Sequence, residues 1–292
     1  MTILTEVKIS TVYMVQFCLV KTTQNKNRKK LEIMKTAKSN TIVFVHGLFV
    51  NNTSWAGWKT FFEAQGYNVY TPANPGHEGN PANLRNNIHP ALTNSSFEDV
   101  VMNIVKLIDT LPEKPIVVGH SLAGLVVQKL IEMDKAVAGV SIDGAPPKNI
   151  FAPISTLKIV LPVVNFFKGN SPYMGSKEWY HKAFFNNFTK AESDKLYEEI
   201  AVPESRKVAR DTVLKSFANV DFKKAHNPLL FIGGSNDAIF SSDFTRKIAG
   251  RYKDKNSIVD VKVFEGKSHF LCGEPGWEQI AEYVLNWING LK

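Results

Sequence analysis

Three stretches of this chain place a reactive side chain in a small-residue turn directly after an apolar run. They are Ser121 in Gly119-His120-Ser121-Leu122-Ala123-Gly124, Asp237 in Gly233-Gly234-Ser235-Asn236-Asp237, and His269 in Gly266-Lys267-Ser268-His269-Phe270. A serine hydroxyl is a weak nucleophile by itself, so it needs an imidazole to take its proton, and the imidazole needs a carboxylate to fix its tautomer and steady its charge. Together the three residue types could carry out nucleophilic attack on a carbonyl carbon. The oxyanion produced by that attack needs two preorganised N–H donors, which backbone amides can supply: Leu122, directly after the serine, and Leu48, in the loop after His46-Gly47.

Position favours these residues over their rivals. Ile116-Val117-Val118, bounded by Pro115 and Gly119, reads as a buried parallel strand, and Leu122, Val126, Leu130 and Ile131 recur at helical spacing. Ser121 therefore stands at a strand-to-helix corner. Gly119 and Ala123 flank it closely, so larger side chains there would clash in an elbow that strains the serine backbone by about 1 to 3 kcal/mol. Parallel strands present their carboxyl ends together, so the base must follow another strand on the same side of the sheet. Of the seven histidines, His269 has that place. His77, His89 and His226 fall in predicted loops and read as solvated, as does His181 in a helical insertion. His120 reads as packing or a local hydrogen bond, and His46 as a brace for its own loop. Asp143, after the strand Val137 to Ile142, is the rival carboxylate; its other reading is turn-making in the pair Asp143-Gly144.

The elements that must hold these residues begin at Thr41. From there strands and helices alternate, the pattern of an α/β chain with a mostly parallel sheet covered on both faces. Thr41 to Val45 is the first strand, Trp55 to Gln65 a helix with Trp58, Phe61 and Phe62 inward, and Tyr67 to Tyr70 the second strand. Ser95-x-x-Glu98 reads as a capping box opening a helix striped by Phe97, Val101, Ile104, Val105 and Ile108. Later strands are predicted at Leu229 to Ile232 and Val259 to Phe264, with helices at Ser242 to Tyr252 and from Trp277. The sheet thus has six strands. Residues 149–224 break the rhythm and read as an inserted helical cap, leaving 41–148 and 225–292 as the core. The cap opens with an apolar run from Phe151 to Phe167, interrupted by Pro153, Pro162 and Lys158; the prolines argue against a membrane span. This run reads either as packing against the sheet or as an acyl-binding wall, with Phe49, Phe151 and Phe167 as the candidate substrate contacts.

Composition narrows the function classes. The 292 residues carry a net charge of +8, but residues 1–40 hold eight Lys/Arg against Glu6 and Glu32, leaving only +2 for the rest. A basic excess confined to one end describes an extension rather than a nucleic-acid-binding face. Cys18 and Cys272 are the two cysteines, one of them in that extension, so no disulfide framework is indicated, and a reducing, cytoplasmic setting fits. Thr11 to Val20 is apolar but lacks the flanks of a signal peptide and is too short to span a bilayer, so no stable membrane insertion is expected. Oligomeric state is not legible.

The strand-serine-helix corner resembles the nucleophile elbow of the α/β-hydrolases, usually written Gly-x-Ser-x-Gly, with Ala123 in place of the second glycine. His46-Gly47, ending the first strand, stands where that family places its oxyanion loop. Gly76-His77-Glu78-Gly79 is similar to the family's Gly-His-Gly loop, with Glu78 inserted, and is given no chemistry. The order Ser121, Asp237, His269 is the family's order. The resemblance covers residues 41–290 and implies a serine hydrolase that needs no metal or cofactor, acting on a small-molecule carboxylic ester of small or medium acyl chain through an acyl-enzyme. Members with an aspartate nucleophile are disfavoured by Ser121. The alternatives are a lactone or amide hydrolase, or a ligand-binding or receptor protein on the same fold.

Overall fold

Strand β1 (Thr41–Val45) is buried at all five positions, because it is sandwiched: Val43 and Val45 enter one apolar layer while Ile42 and Phe44 enter the other. The computed structural model describes residues 38–291. Most of the extension assigned to residues 1–40, and Cys18 with it, lies outside the described residues. The other strands are β2 (Asn68–Tyr70), β3 (Ile116–His120), β4 (Ala138–Ile142), β5 (Leu229–Gly234) and β6 (Val259–Phe264). They form one six-stranded sheet in the order β2-β1-β3-β4-β5-β6, parallel throughout.

Period-two alternation sorts side chains to the two faces. One face carries Val117, Leu229 and Phe231 against α4 (Phe97–Ile108), α5 (Leu122–Glu132) and α10 (Ser242–Ala249). The other carries Ile116, Val118, Val140, Leu230 and Ile232 against α1 (Ala56–Ala64) and α11 (Trp277–Gly290). There Trp58 lies between Phe62 and Trp277, with ring centroids 6.1 and 6.0 Å away. The helix expected over Trp55 to Gln65 is a 3-10 turn at Asn52–Trp55 running into α1, with Trp58 and Phe62 buried and Phe61 only partly so.

The capping box of α4 sits one residue later than the sequence suggests. Ser96 Oγ accepts from Asp99 N at 3.1 Å and Asp99 Oδ2 accepts from Ser96 N at 2.8 Å. Ser95 is already committed: it closes the short helix α3 (Ala91–Asn94), its N–H donating to Ala91 O at 2.8 Å. Ahead of α3 lies α2 (Pro81–Asn86).

Between β4 and β5 the chain leaves the sheet to form α6 (Ile154–Val164), α7 (Lys177–Ala183), α8 (Lys190–Ile200) and α9 (Arg206–Leu214). Tyr180, Phe184, Phe185, Val208 and Ala209 from this stretch belong to the same apolar layer as α4 and α5. Tyr180 Oη also donates to Phe49 O in the loop after β1, and Val163 and Trp179 line a cavity with Ser121, so these helices lie over the carboxyl edge of the sheet. Among the described residues no helix is long and apolar enough to cross a membrane.

The cap assignment yields a direct check. Ser96→Ala should cost about 1 kcal/mol of unfolding free energy, and Ser95→Ala a few tenths at most, in urea denaturation.

Candidate active site

Every strand that carries a site residue ends at the same edge. His46 follows β1, Ser121 follows β3, Asp143 follows β4, Asp237 follows β5 and His269 follows β6. Strand order reverses between β1 and β3, the place where parallel sheets open a crevice.

Ser121 has φ +57° and ψ −120°, a left-handed conformation rarely adopted by a residue with a side chain. Three backbone bonds hold it there. Ser121 N donates to Ile142 O at 2.9 Å, and Ser121 O accepts from Gly124 N and Ala145 N, each at 2.9 Å. A Cβ on Gly119 would stand 2.3 Å from Ala123 O, and one on Gly47 would stand 2.8 Å from both Ser121 Cβ and His120 O. The loop after β1 can thus lie directly against the serine only because residue 47 has no side chain.

The three candidate residues meet in one hydrogen-bonded line. His269 Nε2 lies 3.0 Å from Ser121 Oγ, and His269 Nδ1 lies 2.8 Å from Asp237 Oδ2. His269 is fully buried, with Phe184 and Phe240 edge-on to its ring at 5.0 and 5.6 Å. The other Asp237 oxygen, Oδ1, accepts from Ile239 N at 2.6 Å and Phe240 N at 2.9 Å, which leaves Oδ2 aimed at the imidazole. The turn bearing His269 is braced from behind: Ser268 Oγ donates to Glu274 Oε2 at 2.6 Å, and Lys267 Nζ pairs with Glu274 Oε1 at 3.3 Å.

Two further imidazoles set backbone positions. His120 Nε2 donates to His269 O at 2.7 Å, so the residue before the serine fixes the main chain of the candidate base. Burial, helped by the nearby His269, lowers the His120 pKa to about 3 and keeps the ring neutral. His46 Nε2 accepts from Asn74 N at 2.9 Å, which assigns its proton to Nδ1, directed at Gly47 O at 2.8 Å. Burial, with His77 adding to it, lowers this pKa to about 3 as well.

Asp143 lies on the other side. It is fully buried with φ +43°, and its Oδ1 accepts from Gly234 N at 2.9 Å. Burial, followed by the charge of Asp237, pushes its carboxyl well above the usual carboxylate range, which disfavours a second negative charge beside the acid that already faces His269. Ligand atoms of His120, Asp143 and His269 gather within 4.8 Å of one another. Both His269 nitrogens and His120 Nε2 already have partners, so this cluster fits hydrogen bonding better than metal ligation.

Above Ser121 is an apolar cavity of about 360 Å³. Leu48, Phe49, Leu122 and Phe240 line it together with the serine, as do Leu157 and Val160 of α6. Leu122 opens α5, so its N–H has no intrahelical acceptor. Phe151 stands at the rim. Phe167, expected in the acyl wall, is 98% exposed and lies outside the cavity; it belongs to a single 3-10 turn after α6 whose Asn165 cap and Gly169 end turn it away from the site.

Sequence reasoning missed Glu204 and misjudged His77. His77, expected to be solvated, is buried with its Nε2 3.1 Å from Glu204 Oε2, and Glu204 also accepts from Phe49 N at 3.2 Å. Burial by itself would lower the His77 pKa, but the charge and hydrogen bond of Glu204 hold it above the ordinary value. Phe49, at φ +69°, is further held through its carbonyl by Tyr180 Oη at 2.8 Å and Val202 N at 3.1 Å. The loop bearing Leu48 is thus fastened to the helical roof. The Gly76-His77-Glu78-Gly79 stretch was the only sequence signal for this, and nothing in it points to a partner more than a hundred residues away.

The raised Asp143 pKa has a thermodynamic sign. The folded state binds a proton that the unfolded state releases near pH 4, so this contribution to stability is complete below about pH 4 and is lost as pH rises toward the folded pKa. Asp143→Asn keeps an acceptor for Gly234 and has no proton to lose. Its urea midpoint should therefore rise relative to wild type as the buffer moves from about pH 4 to pH 8; a constant difference would mean that Asp143 is ionised in the folded protein.

Comparisons with known proteins agree with this architecture. A monoacylglycerol lipase from Paleococcus ferrophilus superposes with TM-score 0.62 at 20% identity, over 86% of this chain and 95% of that one. A variant of tomato methylketone synthase I bound to beta-ketoheptanoate gives 0.62 at 20%, over 86% and 98%. A methylesterase from Arabidopsis gives 0.63 at 15%, over 85% and 98%. At such identities the likeness is one of fold alone. No curated protein sequence matches the chain. Residues 42–282, which run from β1 into α11 and include each residue of the Ser121 line, match the alpha/beta hydrolase family model, and the chain belongs to that family.

Proposed function

We propose that this protein is a serine hydrolase acting on carboxylic esters of small or medium acyl chain. The reading is carried by one observation: Ser121, which heads the hydrogen-bonded line through His269 to Asp237, lines an apolar cavity. In this mechanism Ser121 Oγ adds to the ester carbonyl carbon while His269 Nε2 takes its proton. The N–H groups of Leu48 and Leu122 hold the resulting oxyanion. His269 passes the proton to the departing alkoxide, and an alcohol leaves an acyl-serine. Water, deprotonated by His269, then attacks the acyl carbon, and collapse returns the proton to Ser121 and releases a carboxylic acid. Asp237 keeps the His269 proton on Nδ1 and offsets the charge of the imidazolium.

Ser121→Ala and His269→Ala should each reduce hydrolysis of a nitrophenyl ester by several powers of ten, with the double variant little worse, because such residues act as a unit. Asp237→Asn should cost on the order of 10⁴ in turnover and Asp143→Asn far less. Labelling by an organophosphonate probe, lost in Ser121→Ala, distinguishes an activated serine from a site that only binds. Labelling without ester turnover would favour a lactone or amide substrate.

The cavity also sets a chain-length trend. Each additional buried methylene should gain up to about 0.8 kcal/mol, nearly fourfold in kcat/KM, from acetyl toward medium chains. Val160→Asp, in the cavity wall, should flatten that slope while acetyl-ester hydrolysis persists. A flat wild-type profile would leave a small-ester or lactone hydrolase as the better reading.

A further inference from the structure

Apolar side chains are exposed very unevenly on this protein. Ten large hydrophobic residues among the described ones are exposed, and eight of them lie in residues 151–167 or at Val213 and Leu214, at the end of α9. Scattered exposed apolar residues are ordinary, but a contiguous patch of this kind calls for a partner.

Helix α6 is the centre of the patch, and it is firmly held with its apolar face outward. Thr156 and Val163 are buried, whereas Ile154 and Leu161 on the opposite side are 73% and 61% exposed. Thr156 Oγ1 donates to Ile239 O, Trp179 Nε1 donates to Ile159 O at 3.1 Å, and Arg206 donates to the carbonyls of Pro162 and Val163. Phe166 and Phe167 extend the outward face beyond the helix, and Phe151, 90% exposed, joins it to the rim of the cavity.

The charge carried by the segment that forms this face has one sign. No Asp or Glu occurs between Asp143 and Glu178, a stretch that contains Lys148, Lys158, Lys168 and Lys177. Lys148, Lys158 and Lys168 are exposed, as is Lys215 after α9, and none of these four forms an ion pair among the described residues. A second copy of the chain docking through the same patch would bring like charges together. A surface that is apolar a few ångströms down and negative at its boundary complements both properties.

We propose that the outer face of α6, with Phe166 and Phe167, docks this protein onto an anionic lipid surface, lying in the headgroup boundary rather than crossing it. At eleven residues the helix is far too short to span a bilayer. Docking there places the cavity rim, at Phe151 and Leu157, against the lipid.

The test uses the full chain and sedimentation with vesicles of phosphatidylcholine, alone or mixed with phosphatidylglycerol. Wild type should bind the mixed vesicles and release from them as salt is raised. Phe166→Ser with Phe167→Ser should abolish binding, and Lys158→Glu with Lys168→Glu should weaken it by at least about tenfold. All four positions are exposed and outside the cavity, so circular dichroism and hydrolysis of a soluble acetyl ester should match wild type in both variants. Failure to bind mixed vesicles would overturn the proposal, as would equal binding by wild type and the phenylalanine variant. Self-association on gel filtration that is lost in that variant, without vesicle binding, would assign the patch to a second copy instead. Vesicle binding is read without turnover, so its failure leaves the ester reading intact, and failure of the ester reading leaves the docking face intact.

Discussion

The backbone of Ser121 is the constraint from which the rest of the arrangement follows. A non-glycine residue at φ +57° is strained by about 1 to 3 kcal/mol, and it stays there only if its neighbours hold it. The holding groups come from both sides of β3: the end of β4 supplies Ile142 O and Ala145 N, and the loop after β1 supplies Gly47 against the serine Cβ. A central place for β3, between β1 and β4, is therefore a requirement of the corner as well as of the core. The small residues around it, Gly119 and Ala123, permit the approach; the hydrogen bonds make it permanent.

Around that corner burial controls charge. Burial keeps His46 and His120 neutral, and the same exclusion of water pushes the Asp143 carboxyl toward its protonated form. The two imidazoles then work as fixed-tautomer donors, each directing one N–H to a backbone carbonyl, of Gly47 and His269 respectively. This has a pH cost opposite in sign to that of Asp143. Both histidines have folded pKa values below the ordinary 6.5, so their contribution is present above that pH and is lost as pH falls toward about 3.

The sheet was legible because its signals are local. Buried parallel strands appear as short β-branched runs, and the turns after them carry the small residues and the chemistry. Six strands beginning at Thr41, and the gathering of Ser121, Asp237 and His269 at one edge, followed from that alternation. What escaped was set by contacts remote in sequence. His77 looks like a loop residue until Glu204 comes beside it, and Asp143 looks like a turn residue until β5 brings Gly234 and Asp237 against it. Phe167 failed as a cavity residue for the opposite reason: hydrophobicity names a side chain that avoids water and says nothing of which way a short turn will point it. The capping box slipped by one position because two adjacent serines serve different helices.

The attachment of the Phe49 loop to the roof bears on how anything enters the cavity. Glu204 and Val202, just after α8, and Tyr180 in α7 hold both the N–H and the carbonyl of Phe49, one residue beyond Leu48. Roof and floor therefore form one mechanical piece. Were those helices to swing away on a hinge, the hydrogen bonds on both sides of Phe49 would have to break, so such a motion would loosen the very loop that faces the serine. Passage between side chains at the rim needs no such break: Phe151, Leu157 and Val213 are exposed there, and exposed side chains change rotamer in picoseconds to nanoseconds, far faster than domain opening.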